Sequence, residues 1–184
     1  MRTEAENIVG KIERKSDSVA TKRFVFVLLN DFTLLCFSAA VESLRIANRM
    51  AGEKLYDWII AGEGGETVTC SAGAKFNVDM DLVELHRDAV LMICGGINVQ
   101  AATSKRVLNW LRREARRGLV VGGLCTAAYT VAKAGLLDGK RATIHWENHD
   151  SFVEEFDEVA LTKSVFVVDN NRLTTAGGTS SIDL

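Results

Sequence analysis

Short apolar runs alternate along the chain with longer stretches whose apolar positions recur every three or four residues. That alternation predicts strands separated by helices. The runs are RFVFVLL (Arg23–Leu29), YDWIIA (Tyr56–Ala61), AVLMIC (Ala89–Cys94) and a run at Val120 that enters Gly122-Gly123. The central runs are apolar throughout rather than alternately, the pattern of parallel strands covered on both faces. Helical spacing marks Phe37–Met50, with Val41, Leu44 and Ala47-Asn48 in register and Ser38 as N-cap. It also marks Ser104–Arg117, with Val107, Leu108, Leu111 and Ala115 on one face and Gly118 as the stop. A shorter helix is predicted over Asn148–Phe156 and a short strand over Ala142–Trp146. Hairpins are predicted for Val68–Cys70 with Lys75–Val78, and for Leu161–Val168 with Arg172–Thr175 around Asp169-Asn170-Asn171.

The segment VVGGLCTAA (Val120–Ala128) has the form of a nucleophile elbow: a buried strand, a sharp turn, one exposed side chain, then a helix. Gly123 and Ala127 flank Cys125 by two residues, where strand and helix approach too closely for large side chains. N–H groups at the start of the helix favour a thiolate. The helix is predicted to run to Leu137, with Asp138-Gly139 as the following turn. In parallel α/β sheets ligands gather at the carboxyl ends of strands. Asn30-Asp31, Gly95-Gly96 and Cys125 all occupy such ends, so they are predicted to converge on one crevice.

Composition narrows the function classes. At 184 residues, 47% hydrophobic and 25% charged, the chain is of ordinary size and polarity for one globular domain. A formal net charge of -2 gives no electrostatic case for nucleic-acid binding by this segment. Arg112, Arg113, Arg116 and Arg117 fall opposite the apolar face of their helix and read as a solvated surface. Four cysteines without a CxxC pair argue against a disulfide framework or a zinc site; no cofactor or metal is expected, and a reducing cytoplasm is the expected compartment. No apolar run is long enough for a membrane span. Met1–Lys22, dense in charge and poor in large apolar residues, reads as a disordered leader to a domain over 23–184. Ser180-Ser181-Ile182-Asp183 fits the start of a capped helix with Ser180 as N-cap, so a piece of a longer polypeptide is expected.

Several stretches together resemble one group of bacterial regulators. They are Cys125-Thr126-Ala127-Ala128, AGLLDGK from Ala134, ATIHW from Ala142, SAAVESLRIANRMAGEKLYDW from Ser38 and TTAGGTSSIDL from Thr174. The group is the AraC-family transcriptional regulators whose N-terminal domain is similar to ThiJ/PfpI proteins and class I glutamine amidotransferases, in the branch that senses arginine, carnitine, glycine betaine and related compounds. The resemblance covers Arg23–Leu184. It implies an α/β fold, a three-layer αβα sandwich with a mostly parallel, flavodoxin-like central sheet. It also implies a homodimer that senses a small-molecule effector, and DNA binding through a C-terminal helix-turn-helix domain outside this chain. The family pattern has prolines near Asn30, Ser43 and Asp157; this sequence has none at any position.

Catalysis by Cys125 would need a base, and His145 is the candidate. Where some relatives place a histidine directly after the cysteine, this chain has Thr126, and without proline it cannot hold the amidotransferase His-Pro-Glu motif. The acid that contacts the cysteine in many ThiJ/PfpI proteins aligns near Cys36, one turn or more before Glu42. The expected role is therefore ligand binding. Gly95, Gly96 and the Thr126 end of the helix would offer N–H groups to a carboxylate. Phe32, Trp146 and the acids Glu42 or Glu147 would meet a cationic amine, with Asn30, Cys125 and His145 completing the crevice. The rival is a cysteine-dependent hydrolase or glyoxal-processing enzyme using Cys125 and His145, and a third reading is redox sensing at Cys125.

Overall fold

A computed structural model describes residues 20–184. The expectation for the leader therefore lies outside the described residues up to position 19, and Lys22 already opens the first strand. Six strands form the main sheet: β1 (Lys22–Leu28), β2 (Tyr56–Ala61), β5 (Val90–Cys94), β6 (Val120–Leu124), β9 (Phe166–Asp169) and β10 (Arg172–Thr175). Their order is β2-β1-β5-β6-β10-β9; every pairing is parallel except the terminal β9–β10 hairpin. Two small sheets accompany it, β3 (Thr67–Thr69) with β4 (Lys75–Asn77), and β7 (Arg141–Ala142) with β8 (Ala160–Leu161).

Side-chain alternation along the strands divides the core into two layers. Val25, Val27, Leu91, Ile93 and Val121 face α2 (Val99–Ala102), α3 (Lys105–Arg116), α4 (Ala128–Lys133) and α5 (His149–Glu155). Phe26, Leu28, Val90, Met92 and Leu124 face α1 (Leu34–Ala51) and the β3–β4 hairpin. The result is the predicted sandwich of helix, sheet and helix. On α3, Val107, Trp110 and Leu111 are buried, each side chain stabilising the fold by roughly 1.5–3 kcal/mol. Ser104 caps this helix by accepting from the Val107 N–H at 3.0 Å, and Gly118 ends it at φ 94°.

Several boundaries differ from the sequence reading. α1 begins at Leu34, one turn before Phe37, because Cys36 and Phe37 are buried against the sheet. Ser38 is inside the helix, and its hydroxyl donates to Leu34 O at 2.9 Å instead of capping. α4 stops at Lys133 rather than Leu137: Arg112 donates to the carbonyls of Lys133 and Ala134, and Gly135 follows at φ 73°. The predicted strand Ala142–Trp146 shrinks to Arg141–Ala142, and Leu161–Val168 divides between β8 and β9. Ser180 sits within a 3-10 turn, Gly178–Ser181, with its hydroxyl donating to Gly177 O. The arginines of α3 are only partly a solvated face. Arg113 and Arg117 hold the fully buried Glu114 carboxylate at 3.0 and 2.6 Å, and Leu85 N–H donates to the same group at 3.2 Å.

Candidate functional site

β6 delivers Cys125 to the carboxyl edge of the sheet. Leu124 is still extended, Cys125 turns to φ 60°, and a 3-10 turn over Cys125–Ala127 leads into α4. Holding an L-residue in that left-handed region costs about 1–2 kcal/mol and depends on contacts around it. Those contacts are close. A Cβ on Gly123 would lie 2.7 Å from Ala128 N, and one on Gly95 would lie 2.6 Å from Ala127 N. Cys125 N–H donates to the Thr175 hydroxyl on β10 at 3.2 Å, and the Thr126 hydroxyl donates to Gly96 O after β5 at 2.7 Å. Three adjacent strand ends thus fix the elbow.

Four groups surround the Cys125 sulfur, which is only 3% exposed. The Thr33 hydroxyl, at the N-cap of α1, stands 3.7 Å away. Cys36, one turn into α1, belongs to the same buried cluster as Cys125, and its thiol donates to Gly178 O at 3.4 Å, next to Gly177. Gly177, at φ 96°, fits where a Cβ would be 3.0 Å from Cys125 Sγ and 2.6 Å from His145 Cδ2. The sulfur and the imidazole therefore flank a spot that only glycine can fill. His145 makes no hydrogen bond to the sulfur. Its Nδ1 is buried, has no hydrogen-bond partner among the described residues, and lies 3.7 Å from Glu147 Oε2.

This setting lowers the Cys125 pKa from the ordinary 9.0 to about 6, through hydrogen bonding from Cys36 first, then from Thr33, with the His145 charge and the Thr126 N–H adding to it against the cost of burial. Cys36 moves the opposite way: it is held as a thiol by its contact with Cys125 and by burial. Burial, reinforced by the Cys125 charge, pushes the Cys94 thiol up as well. Among the four free cysteines, Cys125 is the one poised as a thiolate.

The predicted ligand set divides. Cys125, Thr126, Gly95, Gly96 and His145 do come together. Two of the expected N–H donors are engaged: Gly95 N–H donates to Leu124 O at 3.4 Å, and the Thr126 N–H is directed at the Cys125 sulfur. A Cβ on Gly96 would lie 1.8 Å from Asp31 O, so this glycine is required for close packing of the backbone. Asn30 is exposed after the end of β1 and lines a separate cleft with Glu63, Thr67 and Val107. Phe32 does not face a ligand: it is fully buried among Phe37 and Phe76, with centroids 5.8 and 5.5 Å away. Glu42 is on the outer face of α1, paired with Arg45 at 2.7 Å. Trp146 and Glu147 are exposed, Trp146 at 70%. Sequence reasoning missed Thr33, Thr175 and Gly177. For Cys36 a signal was present, its alignment with the acid position.

A cavity of about 450 Å³ opens next to this site, lined by Thr143, Trp146, His149, Asp150, Lys163 and Ala176 among others. Trp146 follows His145 and Ala176 precedes Gly177, so the cavity adjoins the elbow without including the sulfur. Among the described residues no group of three or more His, Cys, Asp or Glu is placed to hold a metal, and no helix is long and apolar enough to cross a membrane.

The model of the DJ-1/PfpI family matches residues 22–184, the whole of the sandwich. The chain belongs to the DJ-1/PfpI family. This DJ-1/PfpI domain is 40% identical over 161 residues to the HTH-type transcriptional regulator CdhR of Pseudomonas aeruginosa, covering 88% of the chain and 48% of that protein. It is 34% identical over 170 residues to the HTH-type transcriptional regulator GlxA of Rhizobium meliloti, covering 92% of the chain and 52% of that protein. The chain thus spans about half the length of the regulators it matches. An isonitrile hydratase of Pseudomonas putida is 31% identical over 117 residues, 63% of the chain and 50% of the enzyme. Among solved structures, an AraC family transcriptional regulator from Pseudomonas putida superimposes with a TM-score of 0.77 at 25% identity, covering 89% of this chain and 88% of that one.

Proposed function

We propose that this domain is the effector-binding half of an AraC-type transcriptional regulator, that it works as a homodimer in the cytoplasm, and that DNA is contacted by a separate helix-turn-helix segment. The observation that carries this reading is the match to HTH-type regulators over nearly the whole chain. The site geometry agrees with it. The elbow is kept, while the sulfur is surrounded by a hydroxyl, a thiol and an N–H, and no base is hydrogen-bonded to it. That arrangement stabilises a thiolate without providing the proton transfer that turnover requires.

The effector is a small zwitterion or quaternary amine, and the 450 Å³ cavity beside His145 is its site. Such a volume lies within the usual range for small-molecule pockets. Trp146 offers a π-face and Asp150 a carboxylate to a cationic centre, while Lys163 can meet a carboxylate at the other end. Titration calorimetry against arginine, carnitine, glycine betaine and polyamines tests the assignment. Binding of one compound, weakened by Trp146→Ala and Asp150→Asn, is the expected result; no heat from any of them overturns the choice of ligand class.

A second reading has its own support in the lowered Cys125 pKa and the likeness to an isonitrile hydratase. Here the domain would be a cysteine-dependent enzyme, with Cys125 as nucleophile and His145 as base. Turnover of methylglyoxal, an isonitrile or a small amide that is abolished by both Cys125→Ala and His145→Ala would establish it in place of the sensor.

A further inference from the structure

Away from the elbow, α3 and its cap carry Lys105, Arg106, Arg112, Arg113, Arg116 and Arg117, and the one acid among them, Glu114, is fully buried. The spacing Lys105, Asn109, Arg112, Arg116 keeps to one face of the helix, and Arg106, Arg113 and Arg117 border it. From Lys105 to Arg116 that face spans about 16 Å. The opposite face puts Val107, Trp110, Leu111 and Ala115 into the core. Packing also fixes the direction of the helix: Trp110 Nε1 donates to Val83 O at 2.7 Å, and Arg112 donates to the carbonyls of Lys133 and Ala134.

Ion pairing within the fold uses only part of this charge. Asp81 takes Arg106 at 2.5 Å, Glu84 takes Arg117 at 2.9 Å, and Glu114 is shared by Arg113 and Arg117. Among the described residues no ion pair involves Lys105, Arg112 or Arg116, so positive charge is left in excess on this face. Helix stability does not account for the pattern. Arg113 and Arg116 suit the carboxyl end, but Lys105 and Arg106 stand in a first turn that holds no acid, where positive charge opposes the macrodipole. A cleft of about 460 Å³ opens here, lined by Leu82, Lys105, Arg106, Asn109, Trp110 and Arg113. The chain's net charge of -2 averages over all faces, whereas an approaching polyanion meets the local field.

We propose that this face of α3 is a docking surface for the phosphate backbone of duplex DNA, held without sequence preference. A row of cations on a rigid helix complements the repeating charge of a DNA strand, one phosphate for about every 3.4 Å of axis. Lys105 and Arg116 contact phosphates directly, Arg106 and Arg113 add charge from the side, and the exposed Asn109 amide donates between them. The choice of DNA rests on the reading of this domain as half of an HTH-type regulator, whose other half brings the duplex within reach. The contact is weak alone and adds to the grip of the DNA-binding half.

Fluorescence anisotropy of the purified chain against a short fluorescein-labelled duplex of mixed sequence tests this. The expected Kd is roughly 10⁻⁵ M at about 50 mM salt, and log affinity should fall with log salt at a slope of about -3. Lys105→Glu and Arg116→Gln should each weaken binding several-fold and take about 1 off that slope. Lys105→Glu should hold or raise the melting temperature, because an acid in the first turn suits the helix dipole, which separates lost binding from lost folding. No binding at low salt overturns the proposal, as does binding that both variants leave intact. A preference for poly-glutamate over the duplex also overturns it and marks an acidic protein as the partner. Effector heats that persist while the duplex fails to bind would sink this face alone and leave the sensor reading standing.

Discussion

On one side of the Cys125 sulfur the backbone is packed to contact; on the other, beyond the half-buried His145, Trp146 and Glu147 stand in solvent. The packed side consists of the ends of β5, β6 and β10, where Gly95, Gly96, Gly123 and Gly177 sit so close to their neighbours that a Cβ on any of them would clash. The open side carries an exposed Trp146, an exposed Glu147 and a His145 nitrogen that lacks a partner. Such a contrast is typical of binding sites, where a rigid scaffold sets position and a less constrained segment meets what arrives. Here the scaffold holds the sulfur, and the loose segment borders the cavity.

Substitutions on the two sides should then separate stability from binding. The largest effect is expected from Gly96→Ala, whose Cβ would lie 1.8 Å from Asp31 O; a loss of about 3 kcal/mol or more is expected in urea unfolding, or no soluble protein at all. A smaller effect is the pH dependence of Cys125. Its folded thiol ionises near 6 against an ordinary 9.0, so the stability it contributes is fully present above about 9 and is lost as pH falls through 6. Cys36, shifted upward, opposes this only above the ordinary thiol range. The stability difference between wild type and Cys125→Ser should therefore widen from pH 6 to 9, and thiolate absorbance at 240 nm should rise near pH 6. A flat difference with no absorbance step would show that the sulfur is not held as a thiolate.

On the open side, Trp146→Ala should leave unfolding within about 0.5 kcal/mol of wild type and weaken the effector roughly tenfold, as loss of a cation–π contact predicts. Equal losses in stability and binding would erase the contrast between the two sides. The smallest effect belongs to Glu42→Ala: on the outer face of α1 and paired, among the described residues, with Arg45 alone, it should change neither the melting temperature nor the heat of binding.

The strands were legible because buried parallel strands write themselves as unbroken apolar runs, and the elbow because Gly123, Cys125 and Ala127 state its steric demands locally. What stayed hidden depends on contacts across the fold. The early end of α4 depends on Arg112 reaching over from α3. Phe32 and Glu42 were assigned by residue type, and type does not say which way a side chain turns: one went into an aromatic cluster, the other to solvent. Cys36 shows the limit most clearly. It is buried among apolar side chains in the same cluster as Cys125, and its alignment with the acid position did not show that burial.

The sheet order has a consequence in time. β6 pairs on one side with β5 and on the other with β10, which follows it by some fifty residues and supplies the Thr175 hydroxyl that receives the Cys125 N–H. During synthesis the elbow strand therefore emerges with one edge open until the β9–β10 hairpin has been made, a state prone to wrong pairing. A nascent chain halted before Arg172 should carry Cys125 in an unformed turn, its thiol ordinary and accessible. Thr175 on β10, made some fifty residues after the elbow strand, completes the hold on Cys125 that β6 begins.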